Sequence, residues 1–428
     1  MFRFFTLLFL LLTSFQCFAQ SGGVKGYVKD GTSGNEIDNV NIVLMPGYYA
    51  TTTNAEGYFS INRVPPGNYT LSASMVGYDS MSVKIVISAD KTINQIVYLE
   101  PFVFNVGGGK IEVYNKKKKE DVDVGTTRIT NKQLAKIPTV GGTPDLVQYL
   151  QILPGVVFSG DQGGQLYIRG GSPVMNKVLL DGMTIYNPFH SIGLFSVFDA
   201  DLIKSADVYS AGFGVEYGGR VSAVVDVKTK DGDRKKIAGN FAISPFLGKV
   251  SIEGPLKKFK PNKGSSSFIV SIKNSYLDKS SKVFYDYANP DKLPYSFNDV
   301  YAKMSFNSSN GSNLKVFGFN FRDRVNFPGT TSYGWNQSGF GTRFTMIPEG
   351  KQSKIDGFLT YSNYLIEQKE KDNKPRSSGI NGFNVGLTAT SYNSKDEIKY
   401  GFEINGFRTQ FNIYNANNRR IEQDQYTT

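Results

Sequence analysis

The 428 residues carry 48 Lys and Arg against 37 Asp and Glu, a formal net charge of +11, with 45 glycines, 14% aromatic residues and one histidine. The single cysteine, Cys17, lies in the N-terminal leader behind Gln16, so neither a disulfide framework nor a lipid anchor is indicated. The basic excess is scattered through turns and the run Lys116 to Lys119, with no basic helix or aromatic stacking platform, which leaves nucleic acid out as an expected partner.

Arg3, the apolar run from Phe4 to Leu12 and the small Ala19 read as a signal peptide over residues 1–19, cleaved before Gln20. The mature chain is thus expected outside the cytoplasm. Beyond the leader no apolar run reaches the ~18 residues of a transmembrane helix, so any insertion into a membrane has to be by strands. The glycine and aromatic content leans the same way, to a mainly β chain.

Residues 20–100 alternate in short stretches, Val24 to Val28, Val40 to Leu44, Tyr58 to Ile61, Tyr69 to Ser74 and Ser82 to Ile87. Turns at Asn54-Ala55-Glu56-Gly57 and Pro65-Pro66-Gly67-Asn68 divide them, which predicts a small N-terminal β-sandwich. The stretches "VKGYVKDGTSGNEIDNVNIVL" and "TTTNAEGYFSINRVPPGNYTLSASMVGY" resemble the carboxypeptidase regulatory-like domain. A zinc carboxypeptidase needs two imidazoles and a carboxylate, and His190 is the only histidine. No Gly-x-Ser-x-Gly elbow is present either, so the chain is not expected to be an enzyme or to hold a metal or other cofactor.

Residues 101–124 shift to Gly107-Gly108-Gly109 and Lys116 to Lys119, the composition of a linker. Inside it, Lys110-Ile111-Glu112-Val113-Tyr114 is a strand-like island that either adds to an exposed sheet edge of a partner or is an incidental linker strand.

Residues 125–232 read as an α+β domain. Thr130 with Gln133 fits a capping box, and Thr143-Pro144-Asp145 starts a helix with Leu146, Tyr149, Leu150 and Leu153 on one face, stopped by Pro154-Gly155. Strands are expected at Gln165 to Arg169, Lys177 to Leu180, Ala206 to Ser210 and Ala223 to Lys228. The segments "TPDLVQYLQILPGV" and "LYIRGGSPVMNKVLLDGMTIYNPFHSIGLFSVFDADLIKSADVYSAGFGVEYGGRVSAVVDVKTKDGD" resemble the plug of TonB-dependent outer-membrane receptors.

That resemblance implies a domain lodged in a barrel lumen and moved by the TonB complex, and makes residues 110–114 the candidate TonB box. It places Arg169 of "IRGG" and Arg220 of "YGGR" at plug–barrel contacts, with lumen carboxylates such as Glu403 as partners; the alternative is a solvated turn arginine at each position. His190, with Tyr186 and Phe189 in the same aromatic loop, is a candidate ligand-facing residue, although a lone histidine is more often structural. Asp181 reads as a turn residue bonding its own backbone, and Gly170, Gly171, Gly218 and Gly219 as tight turns. The plug departs from the starch-utilisation class, which makes a surface lipoprotein lid a less expected partner.

Residues 233–428 alternate throughout: Phe383, Val385, Leu387 and Ala389 oppose Asn384, Gly386, Thr388 and Thr390, and Tyr400, Phe402 and Ile404 oppose Gly401, Glu403 and Asn405. Roughly nine strands fit between Ile237 and Gln410, against the ~22 of a plugged transporter, so the chain is expected to hold the N-terminal part of an antiparallel transmembrane β-barrel. Alternation alone also fits a soluble β domain. The expected whole is a receptor of the cell outer membrane with its N-terminal domain in the periplasm, importing a small solute and surrounded by outer-membrane lipid. The alternative is a surface binding or adhesion protein without transport.

Overall fold

The computed structural model describes residues 21–427 except 55, 107–108, 113–124, 138–142, 160–163, 191–192, 194, 285–292, 328, 352, 371–373, 393–396 and 415–416. Residues 1–20, which include the expected signal peptide and Cys17, lie outside the described residues, as do Val113 and Tyr114 of the candidate TonB box and Lys116 to Lys119. Contacts divide the chain into two compact units, the first built on the N-terminal sandwich and the second on the α+β domain with most of the later strands.

The sandwich has eight strands: β1 (Gly22–Asp30), β2 (Asn41–Met45), β3 (Tyr49–Thr52), β4 (Tyr58–Val64), β5 (Gly67–Ser74), β6 (Met81–Ile87), β7 (Thr92–Asn94) and β8 (Val97–Leu99). In one sheet β1 pairs antiparallel with β4 and parallel with both β7 and β8; the other runs β3-β2-β5-β6. Period-two alternation turns Ile42 and Leu44 of β2 and Leu71 and Ala73 of β5 inward, onto Val24, Val28 and Phe59 of the facing sheet. The β3–β4 turn closes on Asn54, whose side chain accepts the N–H groups of Glu56 and Tyr58. Gly57 there has φ +75°, and a Cβ would lie 2.9 Å from that of Glu36. A short hairpin follows, β9 (Val103–Val106) with β10 (Gly109–Glu112), in which Ile111 faces Phe104 across the ladder. Lys110, Ile111 and Glu112 are therefore strand residues.

The α+β domain holds β11 (Thr126–Thr130), α1 (Asn131–Leu134), α2 (Leu146–Leu150), β12 (Val156–Ser159), β13 (Gln165–Ile168), β14 (Asn176–Leu180), β15 (Met183–Thr184), β16 (Ile203–Tyr209) and β17 (Ala223–Thr229). Its main sheet runs β11-β16-β17-β14-β15, with β14 parallel to β17 and the other pairs antiparallel. Strand β17 lies at the centre, and the run Ala223 to Val227 is buried on both faces, apolar except for Asp226, which accepts from the Tyr217 hydroxyl. The Gln133 side chain accepts the Thr130 N–H at 2.7 Å, fixing the start of α1. Asp145 caps α2 by accepting the N–H of Val147 at 2.8 Å, and its other oxygen accepts the Ser196 N–H at 2.7 Å. One carboxylate thus ties a helix start to a loop 51 residues away.

The remaining strands form one ten-stranded sheet in sequence order: β18 (Ala238–Ile243), β19 (Leu247–Lys257), β20 (Ser265–Ser275), β21 (Tyr295–Asn307), β22 (Asn313–Asn326), β23 (Thr331–Met346), β24 (Ser353–Glu370), β25 (Arg376–Tyr392), β26 (Glu397–Tyr414) and β27 (Arg420–Thr427). A helix, α3 (Leu277–Phe284), interrupts the β20–β21 connection and buries Leu277 against Phe195, Leu247 and Phe297. The burial alternation of this sheet is chemically inverted. On β21, Asp299, Tyr301, Lys303 and Ser305 are buried while Met304 and Phe306 are exposed. The same outward face shows Ile252, Ile272, Val316, Phe340, Phe402 and Ile404, with Phe402 57% exposed. A sheet that hides charges and shows apolar side chains has the pattern of a strand face turned to hydrocarbon.

The Asp145 cap makes a direct test of the α+β domain. Asp145→Ala leaves the Val147 and Ser196 N–H groups without an acceptor, and is expected to destabilise the domain by about 2 kcal/mol. Chemical denaturation in detergent, followed by near-ultraviolet circular dichroism, reads the shift against the unchanged chain.

Candidate functional site

The buried face of β19–β22 is covered by the α+β domain, and their contact combines an apolar seam with an ionic one. Phe317, Phe319 and Phe321 of β22 and Ile269 of β20 join one core with Leu146, Leu150, Leu180, Val197 and Val225. Around this seam the sheet contributes mainly lysines and the domain mainly aspartates. Lys249 of β19 lies 3.1 Å from Asp199 and 2.7 Å from Asp201, and Ser271 of β20 donates to Asp199 at 2.7 Å. Lys303 of β21 is 3.5 Å from Asp181 and 3.3 Å from Asp231. Lys315 of β22 and Arg234 reach Asp231 at 3.0 and 3.2 Å, and Ser305 donates to it at 2.8 Å.

Taking charges out of water costs several kcal/mol each, so these groups persist only as mutual partners. Burial would raise the carboxyl pKa of Asp181, Asp199 and Asp231; Lys303, Lys249 and Lys315 with its neighbours respectively outweigh it and hold all three low, Asp231 well below the usual range. A depressed carboxyl pKa contributes stability that is complete above the unfolded value of about 4 and is lost only as pH falls through the folded value. These ties therefore survive mild acid.

One contact reverses the polarity. His190, 1% exposed, presents Nε2 to Asp299 Oδ2 at 2.9 Å and Nδ1 to Asp323 Oδ2 at 3.1 Å, with its ring stacked on Phe297 at 3.8 Å. Lys273 of β20 sits 3.0 Å from Asp299 and also donates to the Ser196 carbonyl at 2.8 Å. Beside it, Gln337 of β23 accepts the N–H groups of Tyr186 and Asn187 at 2.7 and 3.1 Å. Gly182, at φ +91°, lets the chain pass beneath Arg343, whose Nη2 would stand 2.7 Å from a Cβ there. A cavity of about 20 Å³ with an almost wholly apolar lining lies among Leu180, Val197, Phe198, Leu202, Ile203 and Phe321.

Several sequence-based expectations change. Arg169 and Arg220 are exposed; Arg220 donates to its neighbour's carbonyl, Gly219 O, at 2.9 Å, and neither forms an ion pair among the described residues. Their glycine turns hold them on the domain surface. Glu403 instead accepts from Asn384 at 2.8 Å. His190 faces the wall and no open space, because two carboxylates claim both ring nitrogens. Phe189 is buried against Phe158, and Tyr186 is half-buried and stacks on Tyr364 at 6.2 Å. Asp181 does not bond its own backbone: its carboxylate accepts from the Thr229 N–H, the Thr229 hydroxyl and the Tyr301 hydroxyl. Sequence reasoning missed Lys249, Lys273, Asp299, Lys303 and Asp323; their signal was single charges at alternate positions within otherwise strand-forming runs.

Asp231 gathers three cations, which makes it the most exacting position. Asp231→Asn leaves Lys303 and Arg234 buried with too little negative charge, and a loss of about 3 to 5 kcal/mol is expected. Urea unfolding of the detergent-solubilised protein measures it, with Asp233→Asn, a half-buried neighbour whose carboxylate accepts the Lys235 and Lys236 N–H groups, as the comparison.

Comparison with known proteins agrees with this arrangement. Residues 24–105 match the CarboxypepD_reg-like domain and residues 118–225 the TonB-dependent receptor plug domain. The TonB-dependent transporter Oar of Myxococcus xanthus is 22% identical over 247 residues, and the TonB-dependent receptor P3 of Formosa agariphila 25% over 242; each match covers 54% of this chain and 22% of the relative. The chain thus spans about a fifth of the length of these curated relatives. Among solved structures, the FrpB iron transporter of Neisseria meningitidis aligns with a TM-score of 0.51 at 16% identity, covering 68% of this chain and 48% of that one. The outer membrane transporter YddB of Escherichia coli aligns at 0.50 and 13%, covering 71% and 53%. The fold is that of part of a plugged β-barrel, and the chain carries a CarboxypepD_reg-like domain ahead of a TonB-dependent receptor plug domain.

Proposed function

We propose that this chain serves energised import of a small solute across an outer membrane, with the plug moved by TonB. The observation that carries the reading is the pairing of two opposite faces on one sheet. The inner face keeps its lysines and carboxylates buried against the plug, and the outer face is apolar and exposed. A solute path along that inner face opens only when the plug shifts, and breaking several buried ion pairs needs work from outside. TonB supplies that work in this reading.

The segment on which TonB would act lies N-terminal to the plug. In this proposal it is the 110–114 island, whose strand character over Lys110 to Glu112 suits edge pairing with a partner strand. A pull there loads β11, which is an edge strand of the plug sheet. The sandwich would then stand in the periplasm, and lipid would cover the outer face of the strands.

The test is uptake by the full-length protein carrying Val113→Pro, which removes one strand donor without touching the plug. Growth on a panel of limiting solutes first identifies one whose uptake depends on the gene. The variant is expected to reach the outer membrane in normal amount while that uptake falls to the level of cells lacking TonB. Undiminished uptake by a correctly inserted variant would contradict this segment as the point of engagement, and uptake that persists without TonB would contradict energised import.

A further inference from the structure

We propose that His190 is a proton-dependent latch between plug and barrel, closed while its ring carries two protons and weakened when one is lost. The geometry sets the requirement. A neutral imidazole has one N–H and one lone pair, whichever tautomer it adopts. Here both nitrogens face carboxylate oxygens, Asp299 Oδ2 at 2.9 Å and Asp323 Oδ2 at 3.1 Å, so either neutral tautomer sets a lone pair against an anion. Only the imidazolium donates to both. Its ring also lies parallel to Phe297, within 7°, on the strand that carries Asp299, which fixes the donor directions.

The charges around the ring come from four elements. Asp299 projects from β21 and Asp323 from β22; Lys273 of β20 pairs with Asp299. From the plug, Asp145 binds the Ser196 N–H and Asp199 is held by Lys249 and Ser271, so neither plug carboxylate is free to neutralise the ring. From β23 the neighbour is the neutral amide of Gln337, and from β24 the Tyr364 phenol, which accepts from Asn187. Imidazolium and Lys273 thus both pair with Asp299, and the imidazolium pairs with Asp323 as well. Removing one proton takes the donor from Asp299 or Asp323 and turns a ring lone pair towards that carboxylate in a site closed to solvent, which is unfavourable.

Burial by itself would drive the His190 pKa down, but Asp299 and then Asp323 carry it up to about 9. A raised imidazole pKa means that the latch has full strength below the free value of about 6.5 and loses it as pH climbs through about 9. The carboxyls of Asp181, Asp199 and Asp231 are held low and stay ionised through that window, and the Gln337 amide carries no charge to lose. Alkalinity therefore loosens the 186–190 segment selectively and leaves the plug otherwise seated. The link to import rests on the reading that the plug must move.

The experiment follows the ring itself, so its outcome is independent of any uptake result. The full chain is made with ¹⁵N-histidine and without a histidine tag, and the His190 signals are assigned by their absence in His190→Gln. Expected are two protonated ring nitrogens at neutral pH, one transition near pH 9, and loss of amide-exchange protection at 186–190 through that same transition in the unchanged chain only. If His190→Gln does not fold, Asp323→Asn serves instead and should lower the transition by about one pH unit or more. A ring that is neutral at pH 7, a midpoint near 6.5, or protection at 186–190 that ignores the ring's transition would each overturn the proposal.

Discussion

Charge that is buried must be matched, and in this protein the matching partner lies on a different structural element in almost every case. Lys249, Lys303 and Lys315 on the barrel strands meet Asp199, Asp181 and Asp231 of the plug and its C-terminal extension, and His190 of the plug meets Asp299 and Asp323 of the strands. Neither side can bury its charges alone. The plug is consequently specified by the wall in a way that apolar packing, which tolerates sliding, would not achieve. Phe317, Phe319 and Phe321 supply the bulk of the contact, while the ion pairs fix which plug residue stands opposite which strand.

Under the proposed import, the same constraint leaves a seated plug able to move. A dry apolar seam and a set of ion pairs resist small displacement strongly, but the pairs release together once water enters, since solvated ions recover most of their lost hydration. A pull on the N-terminal side meets β11 first, where Arg128 chelates Asp207 through two hydrogen bonds of 2.6 and 3.2 Å. The pairs of Asp181, Asp199 and Asp231 lie further along the plug chain.

Much of the architecture was legible because period-two alternation survives translation into three dimensions. The face of Phe402 and Ile404 read as apolar in sequence and is exposed in the structure, which for a membrane strand is the expected sense. The Thr130–Gln133 pair was equally local and acts as read, while the helix start read at Thr143-Pro144-Asp145 falls at its end, with Asp145 as the cap. Strands β7, β8, β12 and β15 escaped notice since they are two to four residues long and exist through their partners alone. The site was far less legible. Arg169 and Arg220 stood out as charged residues in glycine turns, yet those turns are at the surface; the charges that join plug and wall are single residues such as Lys303, whose neighbours Ala302 and Met304 give no hint of a partner over 70 residues away. His190 was singled out by rarity, and the structure gives it a wall-facing role instead of a ligand-facing one.

The most direct measurement of the central claim is a double-mutant cycle on Asp199 and Lys249, with Asp199→Asn, Lys249→Met and the pair made in the full-length protein. Plug release is followed in urea as hydrogen exchange in β14 and β17 while the barrel strands stay protected. A seated plug held by this buried pair predicts that each single change is costly, and that the double change costs less than their sum by about 1.5 to 3 kcal/mol. Additive changes, or β14 and β17 amides that exchange freely before any urea is added, would contradict a plug fixed by buried charge.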